Sequence, residues 1–238
     1  MDKVESMLKE RRLRSVTRQL HQEGLHVASI NGPENFNLLS DRAFSEILER
    51  TDRIVQAARE FDCGLLIPVP TISENTVTEQ TSIARTASAL SRMAERYGEE
   101  IKLGLEFLGM KQCSINNLHA ALATVESVDK PNVGLVLDSF HLYLSGSETS
   151  DVGHLNPRQV FLVHVNDAEA GDRRRLTDAN RLFPGEGVID LNEFNSELRK
   201  IGYDNRVSLE LLRPAYWEQD AEQVAAKGRE SLRRTFEI

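Results

Sequence analysis

Cysteine is scarce: the 238 residues hold two, Cys63 and Cys113, far apart and without CxxC spacing. That removes a disulfide framework and leaves two small core residues in a reducing cytoplasm. No stretch approaches the roughly 18 apolar residues needed to cross a bilayer, and the N-terminus lacks the apolar centre of a signal peptide. Positive charge is also short, with 29 Lys and Arg against 37 Asp and Glu and a formal net charge of −8. This balance argues against a nucleic-acid partner, because phosphate binding wants a basic face, although it leaves room for a local basic pocket. Low-complexity tracts and Pro/Gly-rich linkers are missing too. The expectation is one domain over residues 1–238, cytoplasmic, with no membrane or nucleic-acid partner.

What is present is an alternation of short apolar runs and longer amphipathic ones. The apolar runs are HVASI (26–30), GLLIPVP (64–70), KLGLEFL (102–108), VGLVLDS (133–139), VFLVHVN (160–166) and RVSLELL (206–212). Most are nearly continuous in hydrophobicity, as expected of parallel strands covered on both faces. Helical spacing appears over residues 4–22, with Val4, Leu8, Val16 and Leu20 on one face, and over 42–61, 78–97 and 116–127. In DLNEFNSELRKIG, Asp190 is placed to cap a helix that Gly202 closes, and a last helix covers about 219–236.

Alternating strand and helix means an α/β fold with a parallel sheet. A (β/α)₈ TIM barrel takes about 250 residues, close to this length. Only six strands are recognisable, however, and the chain begins in a helix. Either the first β-α-β segment of a barrel is absent, or the sheet is open and doubly wound. No glycine-rich phosphate loop follows any strand, so the second alternative lacks its usual site.

Barrel active sites lie at the C-terminal ends of the strands. The polar residues late in the apolar runs are Glu106, Asp138, His164 and Glu210, each on its own successive strand. Three carboxylates and one imidazole suit one divalent metal ion, Mn, Mg, Co or Zn, and disfavour thiolate-preferring metals. His141, three residues after Asp138, is placed to bond substrate. Asp167, three after His164, is placed to orient that ring or contact substrate. The run Arg173–Arg175 reads as a solvated loop face. Arg181, before LFPGEG, is the better substrate contact, and Arg213 points toward the same mouth unless it pairs with a neighbouring acid.

At LEFLGMKQCSINN (105–117), NVGLVLDSFHL (132–142), VHVND, LTDANRLFPGEGVIDL (176–191) and VSLELLRPAYW (207–217), the sequence resembles the xylose-isomerase-like TIM-barrel superfamily of sugar isomerases and epimerases. Within it the likeness is greatest to the branch that isomerises inosose, 2-keto-myo-inositol. The resemblance implies that Glu106, Asp138, His164 and Glu210 ligate a divalent metal, and that His141 and Arg181 contact substrate oxygens. It also implies that Glu106 and Glu210 are the catalytic acid and base, passing a proton through a cis-enediolate. The expected partner is a keto-sugar or keto-inositol, and a homo-oligomer is allowed. MDKVESML aligns after the family's second strand, so two strands and the helix between them are expected to be missing. Ketose 3-epimerase or keto-sugar dehydratase activity is the alternative. An endonuclease-IV-like hydrolase, or an inactive truncated scaffold, ranks below both.

Overall fold

The apolar runs become strands because both of their faces are covered. The computed structural model describes residues 13–73 and 77–236. Its strands are β1 (Ile30–Glu34), β2 (Leu65–Val69), β3 (Lys102–Glu106), β4 (Val133–Asp138), β5 (Val160–Val165), β6 (Asp167–Ala168), β7 (Arg181–Leu182) and β8 (Val207–Leu209). Six form one parallel sheet in the order β1-β2-β3-β4-β5-β8, while β6 and β7 make a small antiparallel hairpin. All six sheet strands match the expected runs, with one displacement. The first was expected at 26–30 but begins at Ile30 and runs through Gly32-Pro33. Its pairing with β2 shifts between Asn31 and Glu34. A proline, with no N–H to donate, is tolerated there because β1 is a sheet edge.

The helices are α1 (Leu13–Gln22), α2 (Asp41–Glu60), α3 (Glu79–Tyr97), α4 (Leu118–Val128), α5 (Ser139–Ser145), α6 (Leu191–Lys200), α7 (Pro214–Trp217) and α8 (Ala221–Phe236). Their starts have chemical causes. The side chains of Ser40, Thr78, Asn117 and Asp190 each accept from a backbone N–H of the first turn. In α1, Leu13 is buried and Val16 and Leu20 pack on the core. Val4 and Leu8, expected on the same face, lie outside the described residues. Helices α5 and α7 were not expected, being too short for a periodic signal.

Strand alternation separates two layers. Leu66, Leu103, Leu105, Leu135, Leu137, Val163 and Val165 join the cluster that the helices cover. Leu65, Ile67, Val136, Phe161 and Leu162 form a second cluster on the other face, built from strand residues alone. With no helix residue in that inner cluster, the doubly wound alternative fails and a barrel-like wall remains. The inner face is tight. A Cβ on Gly104 would come within 2.7 Å of Val136 Cγ2, and one on Gly134 within 2.7 Å of the Phe161 ring. Among the described residues β8 and β1 are the two sheet edges, so the wall is open between them.

Candidate active site

The same alternation that fills the inner face with Val136 and Leu162 carries it upward to polar groups. Glu106 ends β3, Asp138 ends β4, His164 lies late in β5, and Glu210 follows β8 directly. Asp138 and His164 are register partners across β4 and β5. One ligand atom from each of the four residues lies within 4.8 Å of the others, and only Glu210 is not fully buried. His164 Nδ1 stands 2.7 Å from Glu106 Oε1 and 3.5 Å from Glu210 Oε2. Facing lone pairs at such distances need a positive charge between them, either a proton on Nδ1 or a cation. The donor set therefore fits a divalent ion of the oxygen- and nitrogen-preferring kind.

Electrostatics agree. Burial disfavours a charged His164, but the hydrogen bond and charge of Glu106, with Glu210 and Asp138 behind it, raise the imidazole to about 9. Burial pushes Glu210 up, and the charges of Glu106 and Asp138 add to this, to about 8. Burial would raise Asp138 as well, yet Arg181, His141 and His164 hold it far below the usual carboxylate range. One cluster thus separates carboxyl groups into a permanent anion and a group that exchanges protons near neutrality.

Arg181 is brought to the centre. At 1% exposure, its Nη1 donates to Asp138 Oδ2 at 2.6 Å and Glu210 Oε2 at 3.2 Å. Its Nε donates to Asp178 Oδ1 at 2.9 Å, and its Nη2 lies 3.1 Å from His141 Nε2. The Phe140 ring lies beneath the guanidinium, 4.9 Å away. His141 is buried too, and its Nδ1 has no hydrogen-bond partner. Both residues expected to meet substrate therefore stand at the cluster, and the second keeps an unused polar atom.

Asp167 and Arg213 are placed differently. The Asp167 carboxylate accepts four backbone N–H groups: Ala168 at 2.8 Å, Gly185 at 3.0 Å, Gly187 at 2.9 Å and Ile189 at 2.9 Å. It bonds its own hairpin and the PGEG turn rather than His164, which corrects the expectation that it orients that ring. A Cβ on Gly187 would come within 2.2 Å of Ala168 O, so the turn closes on the carboxylate only with glycine there. Arg213 donates to Glu169 Oε1 at 2.6 Å and Ala179 O at 3.1 Å. It takes the neighbouring-acid alternative and ties down the loop that carries Arg181.

Two participants escaped the sequence reading. Asn166 Nδ2 lies 3.4 and 3.3 Å from the two Asp138 oxygens, and Asp178 anchors Arg181. The period-2 position of Asn166 after His164 was an available signal; nothing local marks Asp178.

The profile of the xylose isomerase-like TIM barrel family matches residues 2–235. The chain belongs to this family. Among family relatives, an inosose isomerase of Bacillus velezensis is 31% identical over 97% of this chain and 83% of its own length. One from Bacillus subtilis is 31% identical over 94% of this chain and 81% of its own. An IOLI protein crystallised with a binding zinc atom superposes with a TM-score of 0.93 at 28% identity, covering 99% of this chain and 85% of that one. Family membership makes the open parallel wall the greater part of an α/β barrel. None of the described helices is long and apolar enough to cross a membrane.

Proposed function

We propose that the chain is a divalent-metal-dependent isomerase of a cyclic keto-polyol, 2-keto-myo-inositol, acting in the cytoplasm by proton transfer through a cis-enediolate. The observation that carries this reading is the convergence of Glu106, Asp138, His164 and Glu210 from four strands onto one point. The substrate assignment is supported by the inosose isomerase relatives.

Those four residues would hold the ion, Mn, Zn, Mg or Co. When bound, it would supply Lewis acidity that makes the C–H of the hydroxyl-bearing carbon next to the carbonyl more acidic. The remaining work belongs to the protein. Glu106 and Glu210 both approach His164 Nδ1, so a substrate held at this point would meet both carboxyl groups. Glu210, which burial and its neighbours raise to about 8 in the metal-free cluster, is a carboxyl group placed to pass the proton, as general acid–base catalysis requires. His141 Nδ1, buried and unpartnered, is matched to a substrate hydroxyl, since an orphaned buried polar atom costs about 1–3 kcal/mol. Arg181 supplies a fixed positive charge beside developing oxyanion character.

The test is deuterium exchange. With Mn²⁺ or Zn²⁺ in D₂O, the protein should exchange C–H protons of 2-keto-myo-inositol. Glu210→Gln should abolish exchange while far-UV circular dichroism and thermal midpoint stay near wild type. Exchange only on a ketohexose would move the substrate to the epimerase alternative. No exchange on any keto-sugar, with cation demonstrably bound, would sink the isomerase reading.

A further inference from the structure

We infer that a second, anion-binding site lies beside this cluster, in a chamber of about 830 Å³ on the face formed by the C-terminal ends of the strands. Its walls are the segment after β3, the end of α5 and residues 173–177, with Ile72 and Ser73 beyond β2. That volume is within the range of small-molecule pockets, about 300–1,000 Å³. The chamber shares no residue with the four-donor cluster.

The chamber combines an apolar floor with a cationic rim. The floor is apolar: Met110, Leu144 and Leu176 pack together around Phe140. The rim carries four cations, Lys111, Arg173, Arg174 and Arg175, all exposed. Arg174 is taken up by Asp172, at 3.1 and 3.2 Å. The Arg173 guanidinium rests on the Tyr143 ring at 4.0 Å, which orients it without cancelling its charge. Among the described residues, Lys111 and Arg175 have no carboxylate partner within ion-pair distance. Lys111, Arg173 and Arg175, the last only partly offset by the charge of Asp172, surround one concavity in a chain of net charge −8 and create a local field that concentrates anions. The ligand class this fits is a small molecule with an apolar body and one oxyanion group, a phosphate or a carboxylate.

The chamber is also mechanically tied to the active site. Thr177, in its lining, opens the turn Asp178–Asn180, and Asp178 holds Arg181 Nε at 2.9 Å. An occupant gripping residues 173–177 therefore restrains the segment that delivers Arg181. Binding at the chamber does not depend on the isomerase reading.

The test uses the full chain titrated calorimetrically with inorganic phosphate and, separately, with succinate, at ionic strength held constant with sodium chloride. Wild type should bind at least one of them saturably, and which one separates phosphate from carboxylate recognition. In the Lys111→Gln/Arg175→Gln variant the affinity should fall at least about tenfold. Its thermal midpoint and its anion-free deuterium exchange should stay at wild-type values, so a failed isomerase reading leaves this experiment intact. Absence of saturable binding, or equal affinity in the double variant, overturns the proposal. The second outcome would place the anion elsewhere, for instance at Arg181.

Discussion

Arg181 is tolerated in the interior because Asp138, Glu210, Asp178 and His141 all meet its guanidinium, and an unpaired charge at that depth would be expelled. Its position depends in turn on Asp167, whose carboxylate gathers four backbone N–H groups at the base of the hairpin. Asp167→Asn weakens that grip, and a loss of about 1–3 kcal/mol in unfolding free energy is expected. Exchange should slow while cation affinity changes little, because Asp167 touches no member of the cluster; paired denaturation and titration curves check both. Proton linkage belongs to this scale as well. His164 at about 9 and Glu210 at about 8 both hold protons at neutral pH that a cation must displace. Cation affinity should therefore climb with pH until about 9, by roughly tenfold per unit for each proton released. Both groups are raised above their unfolded values, so their stabilising effect is full at low pH. In the metal-free protein it is lost as pH rises from the ordinary values, 4.5 for Glu210 and 6.5 for His164, to the raised ones of about 8 and about 9. A chelator-treated sample should thus show a falling thermal midpoint across that window; a rising one would contradict the assignment.

At the scale of elements, the inner face of the sheet is set by two glycines. A Cβ on Gly134 would lie 2.5 Å from Gln159 O and 2.7 Å from the Phe161 ring, so β4 and β5 meet closely only with hydrogen there. Gly134→Ala forces them apart and should cost about 1–3 kcal/mol, seen as a lower denaturant midpoint at unchanged slope. The effect should reach the site, since Asp138 sits two inward positions further along the same strand and pairs with His164. Caps matter in the same way. Asn117 accepts from Ala120 N at 2.8 Å, and Asn117→Ala should remove about 1 kcal/mol from α4.

Over the whole molecule, one ion would link four strands, β3, β4 and β5 together with the residue after β8. Such an ion binds only the folded chain, so Mn²⁺ or Zn²⁺ should raise the thermal midpoint in a concentration-dependent way. At a hundredfold excess over the dissociation constant the gain is about 2.7 kcal/mol. Glu106→Gln should abolish most of that shift, which differential scanning calorimetry would read directly. Among the described residues, β1 and β8 each pair with a single neighbouring strand.

Strand and helix content was legible because hydrophobic periodicity is local, and six continuous apolar runs leave little freedom. The donor set was legible for the same reason: a carboxylate or imidazole late in a buried strand is costly unless something meets it, and four such residues point to one meeting place. The start of β1 was not legible, because Gly32-Pro33 looks like a turn until an edge position makes proline harmless. Asp167, Asp178 and Arg213 could not be assigned from sequence either. Each is an ordinary loop charge whose role depends on which backbone amide or side chain the fold brings within about 3 Å. The sequence by itself determined the parallel sheet and the four inward donors, through alternation and the cost of burying charge. Only the tertiary structure decided which remaining charges reach the site and which tie down its loops, because those partners lie up to 44 residues apart and meet through loop closure.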